Sequence, residues 1–385
     1  MGTPSFRGTV RALILGLFTQ LLTAGGIERV GRHTAVVLAA HAREVGTQYR
    51  ILSLNDPTGR HEVRVGDMSA QIEGFARSKR RFVLAALVAS RRASVAYFGH
   101  VKLAMTGVLM KFIHPRMAMW IHIHGVEVWG PLPMIARRAL RMATGIVSIS
   151  RFTADRAAEI QGFAGDKIEI VPNALDPEMI EQSANERRPN CFPEGRTILL
   201  TVARLSAMEQ YKGVDTVIRA MPAIATARPD VAYVIIGDGG DKPRLASLVQ
   251  EANIASYVNF VGHIPEEDLI RAYRHCNIFV MPSRGEGFGV VFLEAMTFGK
   301  PVIAGDHGGA PEVVQDGVTG YLVDHADVAA TADRVIRLLT DEELNHRMGL
   351  AGRRRVEDHF TFEHFRRRIS GILSAPRASP AGIAS

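Results

Sequence analysis

Short apolar runs that alternate with stretches of helical spacing place the strongest limit on the fold of this 385-residue chain. The runs in the first half are RALILGLF, YRILSL, SVAYFGH, AMWIHIHG, GIVSIS and KIEIVPN. The second half continues with TILLTVARL, VAYVIIGDGG, VNFVGHI, NIFVMPS, PVIAGD and GYLVD. Apolar strands of this length, separated by helices, are typical of parallel sheets that are covered on both faces. Two such series in a chain of this length predict two doubly wound α/β domains.

The expected domain boundaries follow a change in composition. A polar, proline-containing stretch separates the two series and predicts a linker over residues 177–196. We therefore expect the first domain at 1–176 and the second at 197–355. A charged helical stretch at 356–374 precedes a tail at 375–385, whose composition is typical of disorder.

In the second domain, Glu286 and Glu294 lie on either side of a glycine-rich turn and the start of an apolar helical run. Backbone N–H groups at such a helix N-terminus favour a bound anion such as a phosphate, and glycine lets the backbone approach it closely. A carboxylate accepts hydrogen bonds from the hydroxyl groups of a sugar or a ribose. The alternative is an ordinary buried α/β unit with two surface glutamates, and spacing alone does not separate the two interpretations.

Positive charge is concentrated in the first domain. The chain has a formal net charge of +7, yet no Asp or Glu occurs from Gly74 to Val126. Basic residues there alternate with apolar stretches such as FVLAALVA and LAMTGVLMKFI, which predicts helices that lie on an anionic membrane surface. Nucleic acid is not expected as a partner, because no nucleic-acid motif accompanies the charge. Solvated positive faces that bind nothing are the alternative.

The expected location is the cytoplasm, at the inner face of the membrane. Cys191 and Cys276 form neither a CxxC pair nor a zinc pattern, which favours a reduced setting. No apolar run has the length needed to span a bilayer. The apolar stretch after Arg11 is similar to the core of a signal peptide, but we interpret it as the first buried strand because a strand–loop–helix pattern continues from it.

Several motifs along the chain resemble, in their order, those of the retaining glycosyltransferases of family 4. The segment from Glu286 to Glu294 is similar to the E-x7-E signature of that family, and the resemblance covers most of the chain. It implies the GT-B type of α/β fold, in which two Rossmann-like doubly wound domains face each other across the donor cleft. It also implies an enzyme that transfers a sugar from a nucleotide-sugar donor to a glycan or lipid-linked acceptor and retains its anomeric configuration.

By this resemblance, Arg204 and Lys212 hold the donor diphosphate and do the work of a metal ion. Neither a metal nor a bound cofactor is therefore expected, in agreement with the absence of a DxD motif at a strand end. The insert SAMEQY between the two cations is longer than in the commonest family version. We expect a looped connection that still returns Lys212 to the phosphates, and plain surface charge is the alternative.

The resemblance also gives roles to residues around the two glutamates. Glu286 is expected to contact hydroxyl groups of the donor sugar, and Glu294 those of the ribose. The remaining expected donor-binding positions are Gly237, Asp238, Ile264, Gly287, Phe288, Gly289 and Val290. Among these, the amides of the last two are expected near phosphate and the backbone at position 264 near the base. A plain turn is the alternative for positions 237 and 238.

In the first domain, His124 lies in HIHGVEVW and aligns with the His-Gly loop of the family. We expect it to hydrogen-bond the donor sugar and hold the reacting geometry, with a structural histidine as the alternative. His122 is expected to point the other way and to be structural. Gly25 and Gly26 lie in GGIERVG, which is not the GxGxxG of dehydrogenases. By resemblance, their loop approaches the donor phosphate or the acceptor.

The identity of the donor stays open at this stage. GDP-mannose is slightly favoured because EGFGVVFLEA is similar to the mannosyltransferases of the family, but UDP-glucose, UDP-galactose and UDP-N-acetylglucosamine are alternatives. Epimerases and phosphorylases share the fold, yet nothing in the sequence marks a pyridoxal phosphate lysine. A non-catalytic, membrane-surface sugar-binding protein is the last alternative. The residues that argue against it by occurring together are Glu286, Glu294, Arg204, Lys212 and His124.

Overall fold

The computed structural model describes residues 12–181 and 187–374, which divide into two compact units. The first unit comprises residues 12–149, 153–171 and 362–374, and the second comprises residues 150–152, 172–181 and 187–361. Each unit contains its own β-sheet with flanking helices, which confirms the predicted α/β class with two doubly wound domains. The predicted tail and residues 182–186 of the predicted linker lie outside the described residues.

The strands of the first unit are β1 (Leu13–Phe18), β2 (Gln48–Ser53), β3 (Gly59–Val65), β4 (Met68–Gly74), β5 (Ala93–Phe98), β6 (Ala118–Ile123), β7 (Gly145–Ser148) and β8 (Ile168–Ile170). Its first helices are α1 (Gly26–Glu44), α2 (Lys79–Ser90), α3 (Ala104–Ile113), α4 (Met134–Met142) and α5 (Arg151–Gln161). The apolar stretch that imitates a signal peptide thus forms β1, whose six residues are all buried.

The sheet of the first unit has the strand order β3-β4-β2-β1-β5-β6-β7-β8. All neighbouring pairs are parallel except β3 and β4, an antiparallel hairpin that places Gly59 opposite Gly74. Because parallel strands end at a common edge, the segments that follow β1, β5 and β6 meet there. Gly25, His100 and His124 lie in these three segments.

The strands of the second unit are β9 (Thr197–Val202), β10 (Val231–Ile236), β11 (Val258–Gly262), β12 (Ile278–Met281), β13 (Val302–Gly305) and β14 (Gly320–Val323). Its helices are α6 (Pro177–Glu181), α7 (Val214–Ala227), α8 (Lys242–Glu251), α9 (Glu266–His275), α10 (Val290–Thr297), α11 (Ala310–Val313), α12 (Val328–Thr340) and α13 (Glu342–His359). The start of the predicted linker is therefore the helix α6.

The second sheet has the order β11-β10-β9-β12-β13-β14, and all of its pairs are parallel. Its core is formed by buried aliphatic and aromatic side chains such as Leu199, Val217 and Tyr233. The central strands β9 and β12 are neighbours, and β10 and β13 lie on either side of them. Loops that follow these four strands consequently share one edge of the sheet.

The last helix, α14 (Phe362–Ser374), belongs to the first unit and packs against α1. Phe365 and Ile369 are buried in this contact, and the ring of His33 lies edge-on to the rings of Phe362 and Phe365, with centroids 5.1 and 5.7 Å away. Among the described residues, we find no helix that combines the length and the apolar character needed to cross a bilayer.

Candidate functional site

The connection from Arg204 to Lys212 is a helical turn, not the loop expected from the sequence. The side chain of Ser206 accepts a hydrogen bond from the amide of Met208, 3.3 Å away, and a 3-10 helix follows over Ala207–Lys212. The carbonyl of Tyr211 then accepts a hydrogen bond of 2.8 Å from the amide of Arg284, which follows β12. This pairing returns Lys212 to the loop that carries Glu286.

Lys212 and Glu286 form an ion pair, with Nζ 3.1 Å from Oε1. Both side chains are largely shielded from water, since only 16% of Lys212 and 14% of Glu286 is exposed. Burial alone lowers the pKa of Lys212, but the attraction of Glu286, with contributions from Tyr211 and Glu209, outweighs it and raises that pKa above its ordinary value. The site therefore holds a fixed cation at neutral pH.

Arg204 supplies a second cation to the same group of loops, which comprises the turn over residues 204–212 and the loop that carries Glu286. We call this group the loop cluster. Its guanidinium lies 2.6 Å from a carboxylate oxygen of Glu209, while 81% of the Arg204 side chain is exposed. An exposed guanidinium next to a shielded ammonium suits a ligand with two anionic groups, such as a diphosphate. The structure thus places the two predicted cations on one short segment.

Helix α10 begins just after Glu286 in the chain and carries Glu294 on its second turn. Gly289 precedes the helix with φ 91°, a left-handed conformation, and a Cβ there would lie 2.3 Å from the ring of Phe292. Glu294 is buried and accepts a hydrogen bond of 2.6 Å from the hydroxyl of Tyr273. This bond fixes the orientation of the carboxylate that the sequence assigns to the ribose.

Phe288 is a different case among the predicted donor-binding positions. Its side chain is buried, and its ring lies edge-on to that of Phe360 with centroids 5.8 Å apart. Any contact of this residue with a donor therefore falls to its backbone. The adjacent carbonyl of Gly287 accepts a hydrogen bond of 2.7 Å from Ser150, which groups with the second unit.

Two glycines that the sequence interpretation did not single out, Gly308 and Gly309, pack against the backbone of Glu286. The amide of Gly309 donates a hydrogen bond of 2.7 Å to the carbonyl of Glu286. At Gly308, with φ 75°, a Cβ would lie 2.5 Å from that same carbonyl oxygen. The segment after β13 is thus pressed against the backbone of Glu286, and its signal in the sequence is the paired glycine of HGGAPE.

Three further predicted donor-binding positions, Gly237, Asp238 and Ile264, follow the neighbouring strands β10 and β11. The amide of Gly237 donates to the carbonyl of Gly262 over 2.8 Å, and the carboxylate of Asp238 accepts from the amide of Gly239 over 2.8 Å. Asp238 therefore stabilises a turn. Ile264 follows β11 and is half-buried. All of these residues lie at the sheet edge that carries Arg204 and Glu286.

In the first unit, His124 belongs to a cluster of aromatic side chains. Its ring stacks on that of His122, with centroids 4.4 Å apart and planes inclined by 25°. The expectation that His122 points the other way is wrong, because side chains two positions apart along a strand lie on the same face. His122 is nevertheless packed as a structural residue: it is buried, and its Nδ1 lies 3.0 Å from the hydroxyl of Tyr97.

His124 itself is oriented by its neighbours. Its Nε2 lies 2.7 Å from the carbonyl of Gly99, and its main-chain amide donates to the carboxylate of Glu127. Since a carbonyl only accepts, Nε2 carries a proton in this contact. His100 lies beside it, with ring centroids 5.8 Å apart, and burial together with the charge of His124 lowers the pKa of His100 to about 4.

Gly25 and Gly26 lie at the N-terminus of α1, at the same edge of the first sheet as His124. Gly25 caps the helix with φ 153°, and a Cβ there would lie 2.1 Å from the carboxylate of Glu28. A carboxylate in the first turn interacts favourably with the helix dipole, as a bound anion would. The predicted site residues thus occur as two groups, one at the carboxyl edge of each sheet.

Comparisons with known proteins give a consistent result. The family model "Glycosyl transferases group 1" matches residues 182–355. The GDP-mannose-dependent alpha-(1-6)-phosphatidylinositol monomannoside mannosyltransferase of Mycolicibacterium smegmatis is 33% identical over 304 residues, which cover 76% of this chain and 79% of that relative. The GDP-mannose-dependent monoacylated alpha-(1-6)-phosphatidylinositol monomannoside mannosyltransferase of Corynebacterium glutamicum is 33% identical over 271 residues. These residues cover 66% of this chain and 69% of that protein.

Solved structures show the same fold. The crystal structure of Anabaena HepE in complex with UDP aligns with a TM-score of 0.70 over 94% of this chain and 99% of that chain. The two sequences are 17% identical in this alignment, so the likeness concerns the fold alone.

Proposed function

Because the chain belongs to the group 1 glycosyl transferases, we propose that it is a GDP-mannose-dependent mannosyltransferase that acts on a membrane lipid acceptor. Membership of the family confirms the glycosyltransferase predicted from the sequence motifs, and the chain is a hexosyltransferase that uses a nucleotide-sugar donor. The names of its relatives give GDP-mannose as the donor and a phosphatidylinositol mannoside as the acceptor. The relatives' coverage of most of this chain is the reason to extend both to it.

The observation that carries the proposal is the arrangement of Arg204, Lys212 and Glu286 at the start of α10. In the proposed complex, the two cations and the N-terminus of the helix stabilise the charge that develops on the departing nucleoside diphosphate. Glu286 is released from Lys212 to accept hydrogen bonds from the sugar. Glu294, which is oriented by a hydrogen bond of 2.6 Å from the hydroxyl of Tyr273, accepts hydrogen bonds from the ribose hydroxyls.

The stereochemical course follows from the family resemblance and remains part of the proposal. No step needs a nucleophilic side chain, since Glu286 has the role of a hydroxyl acceptor. Departure of the diphosphate and attack of the acceptor on the same face of the sugar retain the configuration. His124, oriented by the carbonyl of Gly99 over 2.7 Å, positions the sugar through a hydrogen bond.

A binding panel tests the choice of donor. We expect GDP and GDP-mannose to raise the melting temperature of the purified protein, and UDP and UDP-sugars to leave it unchanged at equal concentration. Selective stabilisation by UDP compounds would discard mannose and make the chain a UDP-sugar-dependent transferase. No response to any nucleotide would favour the non-catalytic sugar-binding alternative.

The proposed acceptor requires the protein to reach a membrane, and the first unit offers a surface for this contact. Helix α3 packs between α2 and α4, and all three expose large apolar side chains. These apolar side chains are Leu84, Val88, Met105, Leu109, Phe112, Ile113, Met134 and Ile135. Phe112, with 67% of its surface exposed, lies under the guanidinium of Arg138 at 6.0 Å. Exposed apolar groups among basic ones are typical of a surface that binds anionic lipid.

The charge reversals Arg80→Glu and Arg81→Glu, made together, should weaken binding to phosphatidylglycerol-containing vesicles by at least about tenfold, because each basic residue contributes about 1 kcal/mol near such a surface. The loss should be larger at low salt. Vesicle co-sedimentation measures it. The matched control changes Arg219 and Arg347 to Glu, which alters the net charge equally on exposed helices of the second unit. Equal vesicle binding by both double variants would remove the membrane surface from the proposal.

A further inference from the structure

Glu209 lies inside the 3-10 helix that joins the two cations, and its carboxylate faces both of them. Oε1 is 2.6 Å from the guanidinium of Arg204, and Oε2 is 3.9 Å from Nζ of Lys212. Oε2 is shielded from solvent and has no hydrogen-bond partner among the residues that the structure describes. Only 15% of this side chain is exposed. A buried carboxylate oxygen without a hydrogen-bond donor costs free energy of folding. Its position next to the two cations is therefore explained better by a role in function than by a role in stability.

The charges of the loop cluster balance before any ligand binds. Arg204 pairs with Glu209, and Lys212 pairs with Glu286. A nucleoside diphosphate brings at least two further negative charges to this place, and it meets cations that already have partners. The diphosphate must therefore displace the carboxylate of Glu209 from the exposed guanidinium, or share that guanidinium with it.

We propose that Glu209 is a built-in competitor of the donor diphosphate, which holds Arg204 in place and keeps the affinity for nucleoside diphosphates low. This inference rests on the proposed function, because it takes Arg204 and Lys212 to be the diphosphate ligands. Glu209 is a positioning residue that acts through Arg204. Its effect on the reaction is to ease the release of the nucleoside diphosphate product, which would otherwise be held by two cations.

The surrounding structure keeps the carboxylate close to the cations. On one side of Glu209, Gln210 donates a hydrogen bond of 2.9 Å to Asp241, which in turn pairs with Arg244 over 2.6 Å. At the end of the helix, the carbonyl of Tyr211 is bonded to the loop after β12. Since Gln210 is held through its side chain and Tyr211 through its carbonyl, Glu209 remains within reach of Arg204 when a ligand arrives.

The variant Glu209→Gln removes the charge and keeps the shape and one acceptor oxygen. We expect it to bind GDP at least about fivefold more tightly than the wild type in calorimetric titrations, because a like charge beside the phosphates is removed. Inorganic pyrophosphate should show the same gain, and the gain should be largest at low salt. Guanosine, which lacks phosphate, should bind to the variant and to the wild type with the same affinity. Glu209→Asp, which restores the charge, should return the affinity towards that of the wild type.

Parallel titrations of Arg204→Ala and Lys212→Ala separate the two levels of the proposal. If both bind diphosphates as the wild type does, the diphosphate site of the proposed function is wrong. If both lose affinity while Glu209→Gln binds diphosphates equally or more weakly, the inference on Glu209 alone is overturned. Melting temperatures report folding, and Glu209→Ala carries the same expectation if the glutamine variant does not fold.

Discussion

Replacing Lys212 with alanine should lower sugar transfer by about 100- to 1,000-fold, the usual cost of removing a fixed donor of transition-state stabilisation. The ammonium lies 3.1 Å from Glu286, is largely shielded from water and has a raised pKa, so no solvent cation replaces it. The loss should affect both the KM for the donor and kcat, because the diphosphate carries charge in the ground state and more in the transition state. Steady-state kinetics with the nucleotide-sugar measures both constants.

Two further variants show that this loss is chemical and not structural. Lys212→Ala leaves the carboxylate of Glu286 without its partner, which itself costs stability. The double variant Lys212→Ala/Glu286→Gln removes that unpaired charge, so its melting temperature should recover while its activity stays low. Lys242→Ala, at the start of α8 in the same unit, is the matched control and should keep its activity. Transfer by Lys212→Ala within threefold of the wild type would contradict the phosphate role.

Gly308→Ala should abolish most of the transfer activity by displacing Glu286. A Cβ at this position would lie 2.5 Å from the carbonyl oxygen of Glu286 and 3.2 Å from its amide nitrogen, and that oxygen already accepts a hydrogen bond from the amide of Gly309. The left-handed backbone, with φ 75°, adds about 1–2 kcal/mol of strain for any residue with a side chain. We expect at least about 100-fold lower kcat/KM, since small displacements of a positioned group have effects of this size.

Gly317→Ala is a close control for this variant. Gly317 has nearly the same backbone conformation, with φ 71°, but a Cβ there meets no atom within 4 Å. It therefore carries the left-handed strain without the collision. Both variants should lose a similar amount of stability from the strain, and only Gly308→Ala should lose activity beyond what its melting temperature explains. Equal kcat/KM values for the two variants would show that the position of Glu286 does not depend on this contact.

The sequence predicted those parts of the fold that depend on local periodicity. The apolar runs became parallel strands, most of them buried, and the strand–loop–helix pattern at the first run became β1 and α1. The hairpin of β3 and β4 was not predicted. It alternates exposed and buried residues over Gly59–Val65, and its charged side chains hide the short apolar set. That alternation, followed by Gly66 and Asp67 at the turn, is the signal that could have revealed it.

The candidate site was predictable only where a motif fixed the spacing along the chain. The motifs gave Glu286, Glu294, Arg204 and Lys212, and the structure brings them to one edge of the second sheet. Contacts between separate loops carry no such spacing. The support of Glu286 by Gly308 depends on how the neighbouring strands β12 and β13 end, which is set by the folded sheet. The pairing of Arg204 with Glu209 depends on the 3-10 helix over Ala207–Lys212, where the sequence predicted a loop.

The error at His122 has a simpler origin. The period of a strand places residues 122 and 124 on one face, and the structure stacks their rings with centroids 4.4 Å apart. Correct use of that period would have predicted a histidine cluster in place of a lone functional histidine. Whether His124 contacts a sugar remains a prediction.

The most direct measurement is the transfer of radiolabelled mannose from GDP-mannose to phosphatidylinositol mannoside acceptors in vesicles. Wild-type protein should move label into the organic phase and release GDP, while Lys212→Ala should do neither above background. Label transferred only from UDP-sugars would contradict the donor. Release of GDP without labelled lipid would contradict the acceptor, and no turnover of any nucleotide-sugar would contradict the catalytic account as a whole.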